Sequence, residues 1–154
     1  MKKIQVLILL TILLFSACEK DDFCVQNPVT PKLILRFYDA DDRETLKAAS
    51  NLYVWAENAE KKDSIFKNIS TDSLVIPLNR FATETIYNFS KDSIVNQFAI
   101  QYTTQDEYVS RSCGFKVVFN ELSFSSNNTW ITDFTPETVT IIDNQNEAHV
   151  QIFH

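Results

Sequence analysis

The chain reads as an all-β protein: an antiparallel β-sandwich of eight or nine strands, immunoglobulin-like or transthyretin-like, with a closed barrel as the alternative. Three observations lead there. Short runs alternate apolar and polar residues with a period of two, the signature of strands with one buried face. A helical period is almost absent beyond residue 31. Polar breaks cut the runs at close intervals, as turns cut the strands of a sandwich.

Taken in order, residues 23–31 are extended, because Pro28 and Pro31 bar a helix and Thr30 is biased to the β region ahead of Pro31. Residues 32–38 form the first strand, with Leu33, Leu35 and Phe37 on one face and Ile34, Arg36 and Tyr38 on the other. An acidic connection follows, with residues 44–49 able to form a turn of helix. Asp39, Asp41, Asp42 and Glu44 cluster there, yet they lack the glycine and the closing glutamate of a calcium loop, so no metal site is read. Residues 51–57 make the second strand, placing Tyr53 and Trp55 opposite Leu52 and Val54. Shorter strands are expected at residues 64–66, 73–78 and 84–89, with Pro77 marking an edge or a strand end. Residues 95–103 and 108–119 follow as two further strands, the second holding the single glycine, Gly114, as a bulge or tight bend. After a polar break at residues 123–129, strands at 138–142 and 148–153 close the domain, with 143–147 as a hairpin loop.

Composition excludes several classes of function. The formal charge of the 154 residues is −6, and a surface of that sign repels phosphate backbones, so nucleic acid is not an expected partner. One glycine cannot build a phosphate-cradling loop, and no cofactor is expected. His149 and His154 are the only histidines, placed on the outer face of the last strand and at a frayed end. Neither a nucleophile–histidine–acid arrangement nor a two-histidine metal pair can be assembled from them. Paired carboxylates need no histidine, but 20 acidic residues on a soluble surface need no special purpose either. The expectation is a protein that is not an enzyme.

The N-terminal stretch speaks to location. Lys2 and Lys3 precede an apolar run at residues 4–15, then Ser16, Ala17 and Cys18. The run spans about 18 Å as a helix, short of the roughly 30 Å hydrocarbon core, so it makes a poor permanent anchor. It resembles the signal of bacterial lipoproteins, in which the cysteine after the cut is acylated; Phe15 stands where that motif more often has leucine. The resemblance implies a signal over residues 1–17, lipidation at Cys18, a tether and lead-in at 18–31, and one domain at 32–154. Losing Lys2 and Lys3 would take the charge from −6 to −8. Attachment to a membrane would then come from the lipid, not from a basic patch. Residues 19–22 (EKDD) are similar to the surface-export signal of some Bacteroidota lipoproteins, or serve as a plain charged tether, so the outer-membrane protein would be surface-exposed or periplasm-facing. With Cys18 acylated, Cys24 and Cys113 remain, and in an oxidising compartment a disulfide is expected; a metal held by two lone cysteines is the weaker option and no C-x-x-C motif is present.

Tyr53, Trp55 and Trp130 are the candidate binding face, since rings stack on sugars and anchor protein contacts, although core packing competes for each. Asp-Ser-aliphatic triplets place Ser64, Ser73 and Ser93 at turn entries. The triplets also resemble the O-glycosylation motif of exported Bacteroidota proteins. Asn68, Asn88 and Asn127 stand in sequons of the N-glycosylation form, of little weight in a bacterial lipoprotein.

Thr30-Pro31, Leu33, the run Arg36 to Asp39, residues 72–78, Ser110 with Cys113-Gly114, and Ala148 to Val150 together resemble an uncharacterised family of Bacteroidota lipoproteins. The resemblance implies a secreted, lipid-anchored β domain and supplies no catalytic or ligand residues. The expected function is a cell-envelope binding or assembly module without catalysis, whose partner is an unknown envelope protein or glycan. The alternative is a carbohydrate-binding accessory lipoprotein or a weak glycan hydrolase.

Overall fold

A computed structural model describes Cys24 and residues 29–154. Cys18, the signal and most of the tether lie outside the described residues. Ten strands are present: β1 (Leu33–Tyr38), β2 (Ala49–Ala56), β3 (Phe66–Thr71), β4 (Ser73–Ile76), β5 (Glu84–Lys91), β6 (Ile94–Ser110), β7 (Gly114–Ser126), β8 (Asp133–Thr135), β9 (Thr138–Ile142) and β10 (Val150–Phe153). Among the described residues, one 3-10 turn, Lys61–Asp63, lies between β2 and β3. The residues group into two units, Val29–Glu107 with Lys116–His154, and Met1–Pro28 with Tyr108–Phe115, of which Cys24 and Tyr108–Phe115 are described.

The larger unit is the sandwich. Its first sheet has the order β4-β1-β10-β8 and its second β3-β2-β5-β6-β7-β9. All pairings given by register are antiparallel except β1 with β10, which run parallel with Leu35 opposite Val150 and Phe37 opposite Ile152. Leu33, Leu35 and Phe37 point inward from β1, as their alternation predicts, and meet Leu52 and Val54, Tyr87 and Phe89, and Phe98 and Ile100 from the second sheet. The inner faces are almost wholly apolar, so packing them against each other supplies the main drive to fold.

The sandwich and its alternation are as expected; the strand count and several boundaries differ, and the strand expected at residues 64–66 runs instead over Phe66–Thr71. Ten strands replace eight or nine, because Asp133–Thr135 is too short and too polar to announce itself by period. Residues 95–103 and 108–119 are not two strands with those bounds, and of the bulge or tight bend expected at Gly114 the tight bend is what is found. They belong to the 17-residue β6 and to β7, and Gly114 (φ +72°) opens β7 directly after the turn at residues 111–113. Residues 103–108 are exposed throughout, so no inward face marked them as strand. Residues 143–147 are not a hairpin loop, since β9 and β10 lie in different sheets and the segment crosses between them. Residues 44–49 hold a turn and the start of β2 in place of helix.

In the smaller unit Cys24 and Cys113 form a disulfide, with Cα atoms 4.7 Å apart. Ser110 Oγ accepts the Cys113 N–H at 3.1 Å and holds the turn. Tyr108 and Phe115, both exposed, meet edge to face at 5.4 Å.

Candidate binding site

The three aromatic candidates do not converge. Leu52 and Val54 belong to the core, so Tyr53 and Trp55 face the opposite side of β2. Trp55 is buried there, and the Lys61 ammonium sits 4.3 Å over the half-buried Tyr53 ring. Trp130 packs against the core instead: its indole N–H donates to Phe89 O at 2.9 Å, and its ring meets Phe37 at 6.1 Å and His154 at 5.4 Å. Tyr53 and Trp130 each have a structural partner, and Trp55 is buried.

The serines serve turns. Ser64 is buried and donates to Lys61 O, and Ser73 donates to Leu35 O. Ser93 is exposed and forms with Asp92 (φ +54°) the two-residue turn between β5 and β6, where an Asp tolerates the left-handed backbone. Ser93 is the one of the three whose hydroxyl side chain stands open to a modifying enzyme.

Both histidines are misplaced by the sequence reading. His149 is half-buried, not outward on the last strand; its Nδ1 accepts the Ile34 N–H at 2.9 Å. The residue's own N–H donates to Ile34 O, so it joins the strand edge that a parallel neighbour leaves open. His154 is buried, not frayed. Lys91 Nζ lies 3.0 Å from its Nδ1, its Nε2 lies 3.2 Å from Lys47 O, and its ring meets Phe37 edge-on at 5.9 Å. Lys47 in turn pairs with Asp39 at 2.8 Å, a contact that holds the Asp39 carboxyl down at about 2.

Burial holds both imidazoles below their ordinary value of 6.5; the lysines beside His154 act in the same direction, while Asp143 and Glu147 beside His149 oppose it. The sign follows directly. Above 6.5 both states are neutral and stability is full; below it the unfolded chain takes up protons first, and stability is lost as pH falls through the lowered folded values. Urea midpoints should therefore drop between about pH 7.5 and about 5.5, and His149→Asn, which keeps an acceptor without titrating, should flatten part of that slope. A midpoint independent of pH over that range would contradict the assignment.

The surface that does stand open is the loop at residues 77–83, which carries the chain from β4 in one sheet to β5 in the other. Phe81 at its tip is 83% exposed, the most open large apolar side chain described. Its neighbour Arg80 places the guanidinium 4.6 Å over the ring.

The loop is nevertheless tightly held. Tyr87 and Tyr102 rise from β5 and β6 with buried rings, and their hydroxyls reach the loop backbone: Tyr87 donates to Pro77 O at 2.7 Å, Tyr102 to Asn79 O at 2.8 Å. Thr85 closes a ring of bonds by accepting the Asn79 N–H at 2.9 Å and lying 2.5 Å from the Tyr102 hydroxyl. Asn79 Oδ1 then accepts the Phe81 N–H at 3.0 Å. Burial pushes the Tyr87 phenol up to about 12 and raises that of Tyr102 too, so both remain neutral donors at any ordinary pH. Linked hydrogen bonds of this kind rigidify what they enclose.

Grooves flank the loop. One of about 330 Å³ is lined by Glu57, Asn58, Leu78, Glu84 and Tyr87 among others. Another of about 260 Å³ lies between Arg80, Phe81, Thr104, Asp106 and Val117. An aromatic knob on a rigid stem between two clefts can anchor a partner while losing little entropy. No group of histidine, cysteine and carboxylate side chains among the described residues is arranged to hold a metal. Sequence reading missed Phe81 because it sits in a polar break, where no period distinguishes a ring facing solvent from one facing the core.

Neither a curated protein nor a solved structure matches this chain. A family model described as a family of unknown function (DUF6452) matches residues 51–154, which takes in most of β2, all of β3 to β10 and the Phe81 loop. The match covers more than half of the chain, and the chain belongs to that family of unknown function.

Proposed function

We propose that the chain is a lipid-anchored binding or assembly module of the bacterial cell envelope, working without catalysis and meeting its partner through the Phe81 loop. The observation that carries this reading is a phenylalanine 83% exposed on a loop whose backbone is fixed by two buried tyrosines. Solvent gains nothing from such a ring; a partner pocket does. Both histidines are engaged in hydrogen bonds of the fold, which leaves little for acid–base chemistry. The lipoprotein-like stretch ending at Cys18 and the Cys24–Cys113 disulfide support an envelope address, in keeping with a Bacteroidota outer-membrane lipoprotein. An acyl anchor would hold the domain at high local concentration beside a membrane-bound partner, so a modest contact suffices.

The test is photo-crosslinking from position 81 in intact cells, with capture compared between the wild type and Phe81→Ala. The substitution should weaken capture about 30-fold, as expected for an anchor worth about 2 kcal/mol, while leaving stability within about 0.5 kcal/mol. Undiminished capture by the alanine variant would remove the loop from the interface. Mass spectrometry of the mature protein would read the acyl chains at Cys18.

The glycan reading keeps one point in its favour: Glu57, Asn58 and Glu84 line the groove of about 330 Å³ beside the loop, with acceptors and a donor suited to sugar hydroxyls. A glycan array on which Glu84→Gln erases a specific signal would favour the accessory version. Release of reducing ends that needs both Glu57 and Glu84 would favour the hydrolase.

A further inference from the structure

The smaller unit is a hairpin tip clasped to the N-terminal segment. β6 ends at Ser110, β7 begins at Gly114, and the turn between them carries Cys113, bonded to Cys24. The Ser110 hydroxyl that accepts the Cys113 N–H also lies 3.4 Å from the Ser112 hydroxyl, so the turn is held from within. Tyr108, 59% exposed, and Phe115, 64% exposed, flank this turn and touch each other edge to face. Two open rings beside a fixed turn make a small apolar patch, which water does not reward.

Three observations name what covers the patch. The first is chain length. Cys24 follows Cys18 by six residues, so their Cα atoms lie at most about 22 Å apart even when every residue is extended. The disulfide sets the Cys113 Cα 4.7 Å from that of Cys24, and Phe115, two residues on, adds at most about 7 Å. A membrane that takes acyl chains from Cys18 is therefore always close to the two rings. The second is the chemistry of the rings. Tyrosine, apolar in body and polar at its tip, gathers at the boundary between headgroups and hydrocarbon, and phenylalanine faces the acyl side of it. The third is charge. The chain carries −6, yet residues 108–115 hold no carboxylate, and their one charged side chain is the exposed Arg111, of the sign that lipid phosphates attract.

We infer that the clasped tip rests on the lipid bilayer, with Tyr108 and Phe115 entering the headgroup boundary and Arg111 meeting lipid phosphates. The inference rests on acylation at Cys18, as proposed above, and is independent of the Phe81 loop. Two rings alone bind a bilayer weakly, but a short leash keeps them at high local concentration beside it. The Cys24–Cys113 bond is what makes the leash short, since it carries the anchor directly to the tip.

The experiment uses the full acylated chain reconstituted into vesicles of phosphatidylethanolamine and phosphatidylglycerol. Phe115→Trp places a reporter at the tip, and lipids brominated close to the headgroup quench an indole only on contact. Subtracting the wild-type signal removes Trp55 and Trp130. The added indole should be quenched about twofold and its emission shifted to the blue. A Gly/Ser spacer of about 20 residues inserted after Asp22 leaves the disulfide in place, lowers the local concentration of the tip about ninefold, and should reduce the quenching accordingly. Tyr108→Glu, made at an exposed position, should also reduce it severalfold, with far-UV circular dichroism unchanged and no free thiol. Cys18 found without acyl chains by mass spectrometry would overturn the anchored reading and this inference with it. Acylated protein that floats with the vesicles yet shows no quenching would overturn this inference alone. So would quenching indifferent to both the spacer and Tyr108→Glu.

Discussion

Replacing Phe98 with alanine is expected to lower the stability of the domain by about 3–5 kcal/mol, a large part of the roughly 5–15 kcal/mol that holds a typical domain folded. The ring is fully buried at the inner face of β6, in the middle of the larger sheet. It meets Phe89 edge-on at 6.1 Å, Phe134 edge-on at 5.4 Å and Phe124 in a stacked arrangement at 5.9 Å. These neighbours come from β5, β8 and β7, so the ring bridges the two sheets. Removing it leaves a cavity whose walls are held in place by two hydrogen-bonded ladders and cannot close on it. Equilibrium urea unfolding measures the loss, and Phe98→Leu, which fills more of the space, should cost clearly less. A loss under about 1 kcal/mol for alanine would mean that the site relaxes and that the aromatic cluster is not the structural centre described above.

Reducing the Cys24–Cys113 bond should be of similar size, at about 4–5 kcal/mol. The cysteines are 89 residues apart, and a cross-link over so long a loop restricts the unfolded chain more than a short one does. The effect should appear in two quantities. Unfolding free energy should fall on reduction or in Cys113→Ser, and the urea dependence should steepen, because the released chain exposes more surface when it unfolds. A fall in stability with an unchanged slope would point to lost native contacts around the turn in place of unfolded-state entropy.

How much of this was legible in the sequence can be traced residue by residue. Leu33, Leu35 and Phe37 alternate because one face of β1 is buried and the other is not, and that asymmetry is written in the residue types. The cysteine pairing followed from compartment and count. What failed was of two kinds. The far end of β6 has no buried face, so its strand character rests on ladder hydrogen bonds that leave no pattern. Partner choice between strands is the other. Thr138–Ile142 and the last strand look like a hairpin by spacing, yet each finds its neighbours in a different sheet, a decision made by the whole core. His149 and His154 were misread for that reason, since their environments exist only once β10 lies against β1. Phe81 was invisible for the opposite reason: its ring meets the neighbouring Arg80 guanidinium and stands out of the core, and a residue outside the core leaves no periodic trace.

The parallel contact between β1 and β10 has a consequence for timing. Ile34 and His149 bond to each other across 115 residues, so a chain emerging N-terminus first from the ribosome delivers one half of the contact long before the other. Until β10 arrives, β1 has β4 on one flank and nothing on the other. Late, long-range pairings of this kind also form slowly, over milliseconds to seconds. The pairing of β1 with β10 therefore closes only after the last strand has been made, and the first sheet is complete only then.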